Sequence, residues 1–183
     1  MIEIRDLTVA FDGKTIFDHS DFSIPDTGVV LLKGESGVGK TTLLRVLAGL
    51  LKPQTGRITG LTDRKLSFVF QEPRLIAQYS ALQNVALVSD EATARKLLDR
   101  LHLNDVLTQK AGSLSGGQQQ RVSLARAFAF SDDVVLLDEP FAGLDPENKQ
   151  RAVDLIRTAK LAIVVSHDPL DSDLLQADRN ILL

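Results

Sequence analysis

The chain has 183 residues, 44% hydrophobic and 25% charged, with a formal net charge of −3; this suits one globular domain with a substantial core and argues against general affinity for nucleic acid or anionic lipid. The absence of cysteine excludes disulfides, thiolate zinc sites and thiol catalysis, and is consistent with a reducing compartment. Met1 to Asp6 carries no basic segment leading into an apolar run, and no apolar run approaches the ~18 residues of a membrane span, so any membrane role is expected to run through a partner.

Ile2, Ile4, Leu7, Val9 and Phe11 fall on a roughly alternating segment, and Ile16, Phe17 and Phe22 on a second over Thr15 to Ile24. Asp12-Gly13 between them is a hairpin signal, so the chain is expected to open with antiparallel strands. Pro25 to Gly28 reads as a turn into a buried strand at Val29-Val30-Leu31-Leu32. Gly34-Glu35-Ser36-Gly37-Val38-Gly39-Lys40-Thr41-Thr42 follows, and it fits G-x-x-x-x-G-K-[ST]. A helix is predicted from there to about Leu51, with Leu43, Leu47 and Leu50 on one face and Leu44, Val46 and Leu51 widening it. Strand, glycine loop and helix together make a phosphate site. The glycines let several backbone N–H groups aim at one point, and the helix N-terminus adds its positive dipole end. Lys40 supplies a mobile charge for the β- and γ-phosphates, and the Thr41 hydroxyl is a hard oxygen suited to Mg²⁺.

Beyond Lys52 to Gly56, strands are predicted at Arg57-Ile58-Thr59 and Leu66 to Phe70. From Gln71 to Ser115 the strand signals stop, and Asp90 reads as the N-cap of a helix with Ala94, Leu97, Leu98 and Leu101 on one face. This region is expected to be a helical insert. A further helix runs from Gly116 to about Phe130, with Val122, Ala125 and Ala129 on one face. Val134 to Leu137 is a continuous apolar strand typical of a sheet covered on both sides. Asp145-Pro146 opens a helix carrying Ala152, Leu155, Ile156 and Ala159, Leu161 to Val165 is the next buried strand, Asp168-Pro169 starts a short helix and Asn180 to Leu183 is a last strand. Strands alternating with helices predict an α/β fold with a parallel sheet.

The Val134–Leu137 strand ends in Asp138-Glu139-Pro140. An acid at the carboxyl end of a buried strand is where a P-loop enzyme holds Mg²⁺, which assigns that role to Asp138. Glu139 stands one residue further towards the γ-phosphate, where a carboxylate can accept a proton from an attacking water or orient it. Taken alone, two adjacent acids also read as solvated loop charges; the phosphate loop upstream favours the catalytic reading. His167 follows the strand ending at Val165 and can hydrogen-bond a γ-phosphate oxygen. His19 and His102 have no such logic and read as surface or structural residues.

With these motifs in place, the chain resembles the ATP-binding-cassette (ABC) family along nearly its whole length. Leu114-Ser115-Gly116-Gly117-Gln118-Gln119-Gln120-Arg121 looks like the family's signature loop, which separates it from other P-loop ATPases. Gln71 in Phe70-Gln71-Glu72-Pro73 matches the Q-loop, Val134 to Glu139 Walker B, Ala142 to Asp145 the D-loop and His167 the H-loop. Phe11 sits where an aromatic, more often tyrosine, stacks on adenine. Ser115-Gly116-Gly117 also opens a helix, offering a hydroxyl, free amides and a dipole end to an anion.

The resemblance implies a P-loop NTPase core with a parallel sheet flanked by helices, an N-terminal antiparallel β part and a small inserted helical subdomain. Residues 1–183 would form one ATPase domain, with the core in 1–71 and 121–183 and the helical part, shorter than usual, at about 72–120. It implies ATP and Mg²⁺ as ligands: Gly34 to Thr42, Phe11, Ser115 to Gln118 and Asp145 around the nucleotide; Thr41, Asp138 and Gln71 at the metal; Glu139, His167 and Gln71 in catalysis. Each ATP would lie between the P-loop of one copy and the signature of another, in a head-to-tail homodimer or with a paralogous cassette. Gln71 and the insert would receive a helix of a separate transmembrane permease on the cytoplasmic face of the membrane; no nucleic acid is expected. The Phe70 to Val85 stretch, with its Gln-Glu-Pro-Arg-Leu, looks most like bacterial uptake systems, including those for small oxyanions such as sulfonates. The alternative, an ABC ATPase acting on nucleic acid or protein complexes, is disfavoured because neither a coiled-coil insertion nor a second cassette is present. Few residues follow His167, so no C-terminal regulatory domain is expected in this chain.

Overall fold

Runs such as Val29 to Leu32, Val134 to Leu137 and Leu161 to Val165 contain no polar side chain to turn towards water, so each demands apolar cover on both faces. The computed structural model describes residues 1–11, 13–168 and 170–183; the expected turn residue Asp12 and helix-start residue Pro169 lie outside the described residues. In chain order the elements are β1 (Ile2–Phe11), β2 (Lys14–Ile24), β3 (Gly28–Lys33), α1 (Lys40–Leu47), β4 (Thr55–Thr59), β5 (Leu66–Val69), α2 (Ala81–Ala86), α3 (Glu91–Arg100), α4 (Gly116–Phe130), β6 (Val134–Asp138), α5 (Pro146–Ile156), β7 (Leu161–Val165), α6 (Asp171–Leu175) and β8 (Arg179–Leu182). β5, β6, β7, β3 and β8 form a five-stranded sheet in that order, and every neighbouring pair is parallel. β1 pairs antiparallel with β2 and β4 in a separate three-stranded sheet. The α/β class, the parallel core sheet and the antiparallel N-terminal part are as the sequence predicts.

The period of two along each strand divides the core into two halves. Val29, Leu31, Val69, Val135, Leu137, Ala162 and Val164 face one way, towards the apolar sides of α2 to α6. Val30, Leu32, Val134, Leu136, Leu161, Ile163 and Val165 face the other, where Leu43, Leu44, Val46 and Leu47 of α1 join Ile2, Ile4, Leu7, Val9, Phe17 and Ile24 of the antiparallel sheet.

Helix starts follow the cap chemistry. Asp90 caps α3 by accepting from Thr93 N at 2.8 Å, Asp145 caps α5 with Pro146 at its first turn, and Ser115 and Gln118 form a reciprocal capping box on α4. Four helices differ from expectation; α5 ends at Ile156, short of Ala159. α1 ends at Leu47, not near Leu51. Gly49 turns left-handed at φ 68, and Leu50 N reaches back to Arg45 O at 2.9 Å while Gly49 N bonds Val46 O at 3.0 Å. That is a Schellman stop, and it leaves Leu50 exposed rather than on a buried helical face. α2 is a helix the periodicity did not reveal because it is so short; Ser80 and Gln83 cap it. It is seated by Asn84, which is fully buried and bonds Ile76 N at 2.8 Å and Ser80 O at 3.0 Å. α6 begins at Asp171, later than predicted. Among the described residues no helix is long and apolar enough to cross a membrane.

The edge of the parallel sheet is pinned by Arg64, which donates to Asp133 Oδ1 at 2.8 Å and to its carbonyl at 2.9 Å. The Arg64 hydrogen bond and charge hold the Asp133 carboxyl below the usual aspartate value. A depressed folded-state pKa contributes stability that is present above the unfolded aspartate value and is lost as pH falls through the folded one. The Tm advantage of wild type over Arg64→Met should therefore be constant above about pH 5 and shrink below about pH 4. A difference in melting temperature that does not change with pH would refute the ion-pair contribution.

Candidate functional site

A cleft of about 290 Å³ opens at the carboxyl ends of the parallel strands, lined by Ser36, Gly37, Gly39, Lys40, Thr41, Thr42, Gln71, Asp138, Glu139, Val165 and His167. Register places it. Val165 of β7 pairs with Leu32 of β3 on one side and with Asp138 of β6 on the other. The loop leaving β3, the acids ending β6 and the histidine following β7 therefore emerge side by side, at the sheet edge where α/β proteins bind ligands.

The glycine loop wraps from Gly34 to the start of α1 at Lys40. Gly39 immediately before the helix has φ 115, and a Cβ there would lie 2.6 Å from Ile16 Cγ2 and 2.8 Å from Phe17 Cζ. Glycine is thus required both by the backbone angle and by the close approach of β2. Lys40 is buried, and its ammonium donates to the carbonyls of Gly34 at 2.7 Å and Glu35 at 2.9 Å. An ammonium has three donors, so one is left for a ligand after its own loop has taken two. The Thr41 hydroxyl donates to Asp138 Oδ1 at 3.0 Å, which joins the loop to the end of β6.

Asp138 is buried, and burial pushes its carboxyl above the usual aspartate value against the pull of the Thr41 bond and of Arg45, His167 and Lys40. A desolvated carboxylate beside a hydroxyl is a hard-oxygen pair suited to Mg²⁺, which keeps waters and takes the rest of its shell from phosphate. Glu139 follows in a left-handed conformation at φ 51, a strain of order 1–3 kcal/mol for a residue with a Cβ. Its N–H is held by Val165 O at 3.0 Å, and its carbonyl accepts from Gln120 Nε2 at 3.4 Å. The Glu139 carboxyl is also raised by burial, with His167 opposing and Asp138 adding to the effect. Its Oε1 is buried with no hydrogen-bond partner, although His167 Nε2 stands 3.3 Å away. An orphaned carboxylate oxygen on a residue that lines the cleft fits a water or ligand proton donor.

Thus Ser36, Gly37, Gly39, Lys40, Thr41, Thr42, Gln71, Asp138, Glu139 and His167 share one cleft, with Gly34, Glu35 and Val38 completing the loop around Lys40. Other predicted residues lie elsewhere. Phe11 is at the end of β1 and exposed. Ser115, Gly116, Gly117 and Gln118 form the start of α4, outside the cleft lining. Asp145 is likewise outside it, its carboxylate taken up by Asn148 N at 2.9 Å and Asn148 Nδ2 at 2.6 Å. These last two stretches nevertheless touch: a Cβ on Gly117 would lie 2.6 Å from Gly143 O. Sequence reasoning missed what holds them. Arg121 is buried and its guanidinium donates to Leu101 O at 2.8 Å, His102 O at 3.1 Å and Asn148 Oδ1 at 2.7 Å. Gln120, also buried, reaches Glu139 as described. Both are polar residues at core positions of a helix, and that pattern was the available signal.

The chain shares sequence and fold with known proteins. The ABC transporter family profile matches residues 17–142. The aliphatic sulfonates import ATP-binding protein SsuB 1 of Nocardia farcinica is 38% identical over 192 residues, covering 100% of this chain and 77% of that protein. The phosphonates import ATP-binding protein PhnC 2 of Rhodopseudomonas palustris is 35% identical over 187 residues, covering 85% of this chain and 69% of its own length. Among solved structures, a dimeric post-hydrolysis state of the ATP-binding cassette MJ0796 bound to ADP and Pi superposes with a TM-score of 0.86 at 28% identity, covering 100% of this chain and 94% of that one.

The close approach of Gly117 to Gly143 separates two neighbouring glycines. Gly117→Ala should cost about 1–3 kcal/mol from overpacking. Gly116→Ala, where a Cβ meets nothing within 4 Å, should be neutral or stabilising by up to about 1 kcal/mol. Urea unfolding of both variants checks this, and equal stabilities would remove the contact.

Proposed function

The chain belongs to the ABC transporter family of ATPases, and on that premise we propose that it is the ATP-hydrolysing subunit of a bacterial importer. The observation that carries the reading is the convergence of Lys40, Thr41, Asp138, Glu139 and His167 on one cleft. In this reading the N–H groups from Gly34 to Thr42 and the free donor of Lys40 hold the β- and γ-phosphates. Thr41 and Asp138, with Gln71 at the rim, would hold Mg²⁺. Bound there, the metal would neutralise charge on the phosphate oxygens. Glu139 orients the attacking water or takes its proton; its buried, unpartnered oxygen suits that task. His167 donates towards the γ-phosphate from beside Glu139. Phe11 offers its ring to the adenine.

Ser115 to Gln118 and Asp145 find no phosphate loop within their own chain. We read residues 1–183 as one ATPase domain whose α4 start completes the site of a second copy, head to tail; the dimeric state of the MJ0796 cassette supports this. Closure on ATP and opening after hydrolysis would then supply a two-state element. The helical part, about 72–120, with Gln71 beside it, would face a separate transmembrane permease, which puts the subunit on the cytoplasmic face of the membrane. The names of the similar import proteins favour small sulfonate or phosphonate oxyanions as cargo.

ATP at about 100 times its Kd should raise Tm by about 5–11 °C, and Lys40→Ala should abolish that shift; an unchanged shift would sink the phosphate-loop assignment. Glu139→Gln should retain ATP binding and lose turnover by about two orders of magnitude or more. Light scattering after size exclusion should find this variant dimeric with ATP and monomeric without it. Near-normal phosphate release would mean that another group handles the water.

A further inference from the structure

Beside the cleft lies a charged cluster that the proposed hydrolysis does not use. Lys149, in the second turn of α5, extends its ammonium to Asp168 Oδ2 at 2.7 Å and to Asp171 Oδ1 at 2.5 Å. The second approach lies outside hydrogen-bond angles and acts as a charge contact. Asp171 is 1% exposed, and its other oxygen accepts from Ser166 Oγ. Ser166 Oγ in turn accepts from Asp168 N at 3.2 Å, and Asp168 Oδ1 accepts from Leu170 N at 3.0 Å. The residues on either side of His167 are therefore both held in one network, while His167 itself is bonded to none of it and reaches 3.3 Å from Glu139. Lys149 also lies 5.5 Å above the Phe141 ring, so one side chain spans the segments that leave β6 and β7. Burial alone would lower the Lys149 ammonium, but the two carboxylates outweigh it and hold it above the usual lysine value. The Asp171 carboxylate, so deeply buried, would be costly without that cation.

We infer that Lys149 is a positioning residue: by clamping Asp168 and Asp171 it fixes the loop that aims His167 into the cleft beside Glu139. The inference rests on the reading of His167 given above. It also ties His167 to the Asp145 end of α5, since Lys149 N bonds Asp145 O at 2.8 Å; a shift at that helix start would be passed to His167 through one side chain.

The test compares Lys149→Met, Lys149→Arg, His167→Ala and the double variant Lys149→Met/His167→Ala, with Asp168→Asn as a milder cut in an exposed partner. Amide exchange without nucleotide should show protection lost at 168 and 170 in Lys149→Met and retained in β6 and the phosphate loop. In steady-state ATP hydrolysis, Lys149→Met should lower kcat about ten- to hundredfold with KM for ATP within about twofold. Lys149→Arg should recover most of the loss, and Asp168→Asn should show a smaller drop of the same kind. Lys149→Met should add less than about twofold to the loss in His167→Ala. Unchanged exchange at 168 and 170, or a Lys149→Met effect that multiplies fully with that of His167→Ala, overturns the positioning role. Loss of protection throughout the chain, with Asp168→Asn kinetically normal, makes Lys149 a structural residue and also overturns it. If His167→Ala turns over normally, the reading of His167 fails first, and the inference with it.

Discussion

The register of β6, β7 and β3 is the constraint on which the rest of the structure depends. Neighbouring strands stand about 4.8 Å apart, and Val165 is paired to Asp138 on one side and Leu32 on the other. A row one residue deep thus brings an acid, a histidine loop and a glycine loop to the same edge. Slipping β7 by one residue would reverse its side chains, turning Ala162 and Val164 towards α1 and Ile163 towards α4 and α5. Two tightly packed half-cores stand against that slip. Apart from Asp138 at the end of β6, the buried strands contribute nothing chemical to the cleft, but their packing fixes where Thr41 meets that carboxylate.

Around that edge the polar groups are held from the second half of the chain. α4 carries Gln120 to the strained Glu139 carbonyl and Arg121 to α3 and α5. Arg126 of the same helix donates to Arg74 O at 2.7 Å, close to Gln71. One buried helix therefore touches the loop at Gln71, the acid at the end of β6 and, through its own capped start, the turn at Gly143. A rigid element with those attachments moves its ends together, which is what coupling between a nucleotide and a distant surface requires. The left-handed Glu139 belongs to the same arrangement: its strain is sustained by β7 on one side and α4 on the other.

Much of this was legible beforehand. The phosphate loop, the acids after β6 and the histidine after β7 were assigned from motif and strand context, and all three line the cleft. The starts of α4 and α5 followed from Ser115, Asp145 and Pro146, because capping is local chemistry. Failures occurred where a backbone turn overrode an apolar pattern. Leu50 continued the periodicity of α1, yet Gly49 had already reversed the chain. α2 was too short to show a period at all.

The sequence by itself determined the class of fold, the order of its elements apart from α2, and the residue types that line the cleft, because hydrophobic period, caps and glycine loops act over a few residues. Only the tertiary structure decided that Lys149 clamps the loop around His167, that Arg121 spans three helices, and that the Ser115 helix start lies outside the cleft lining. Those outcomes depend on which distant side chains share a buried volume. A lysine in an α5 turn carries no local mark of the aspartates it will meet, since their approach is set by the packing of α5 and α6 against one face of the sheet.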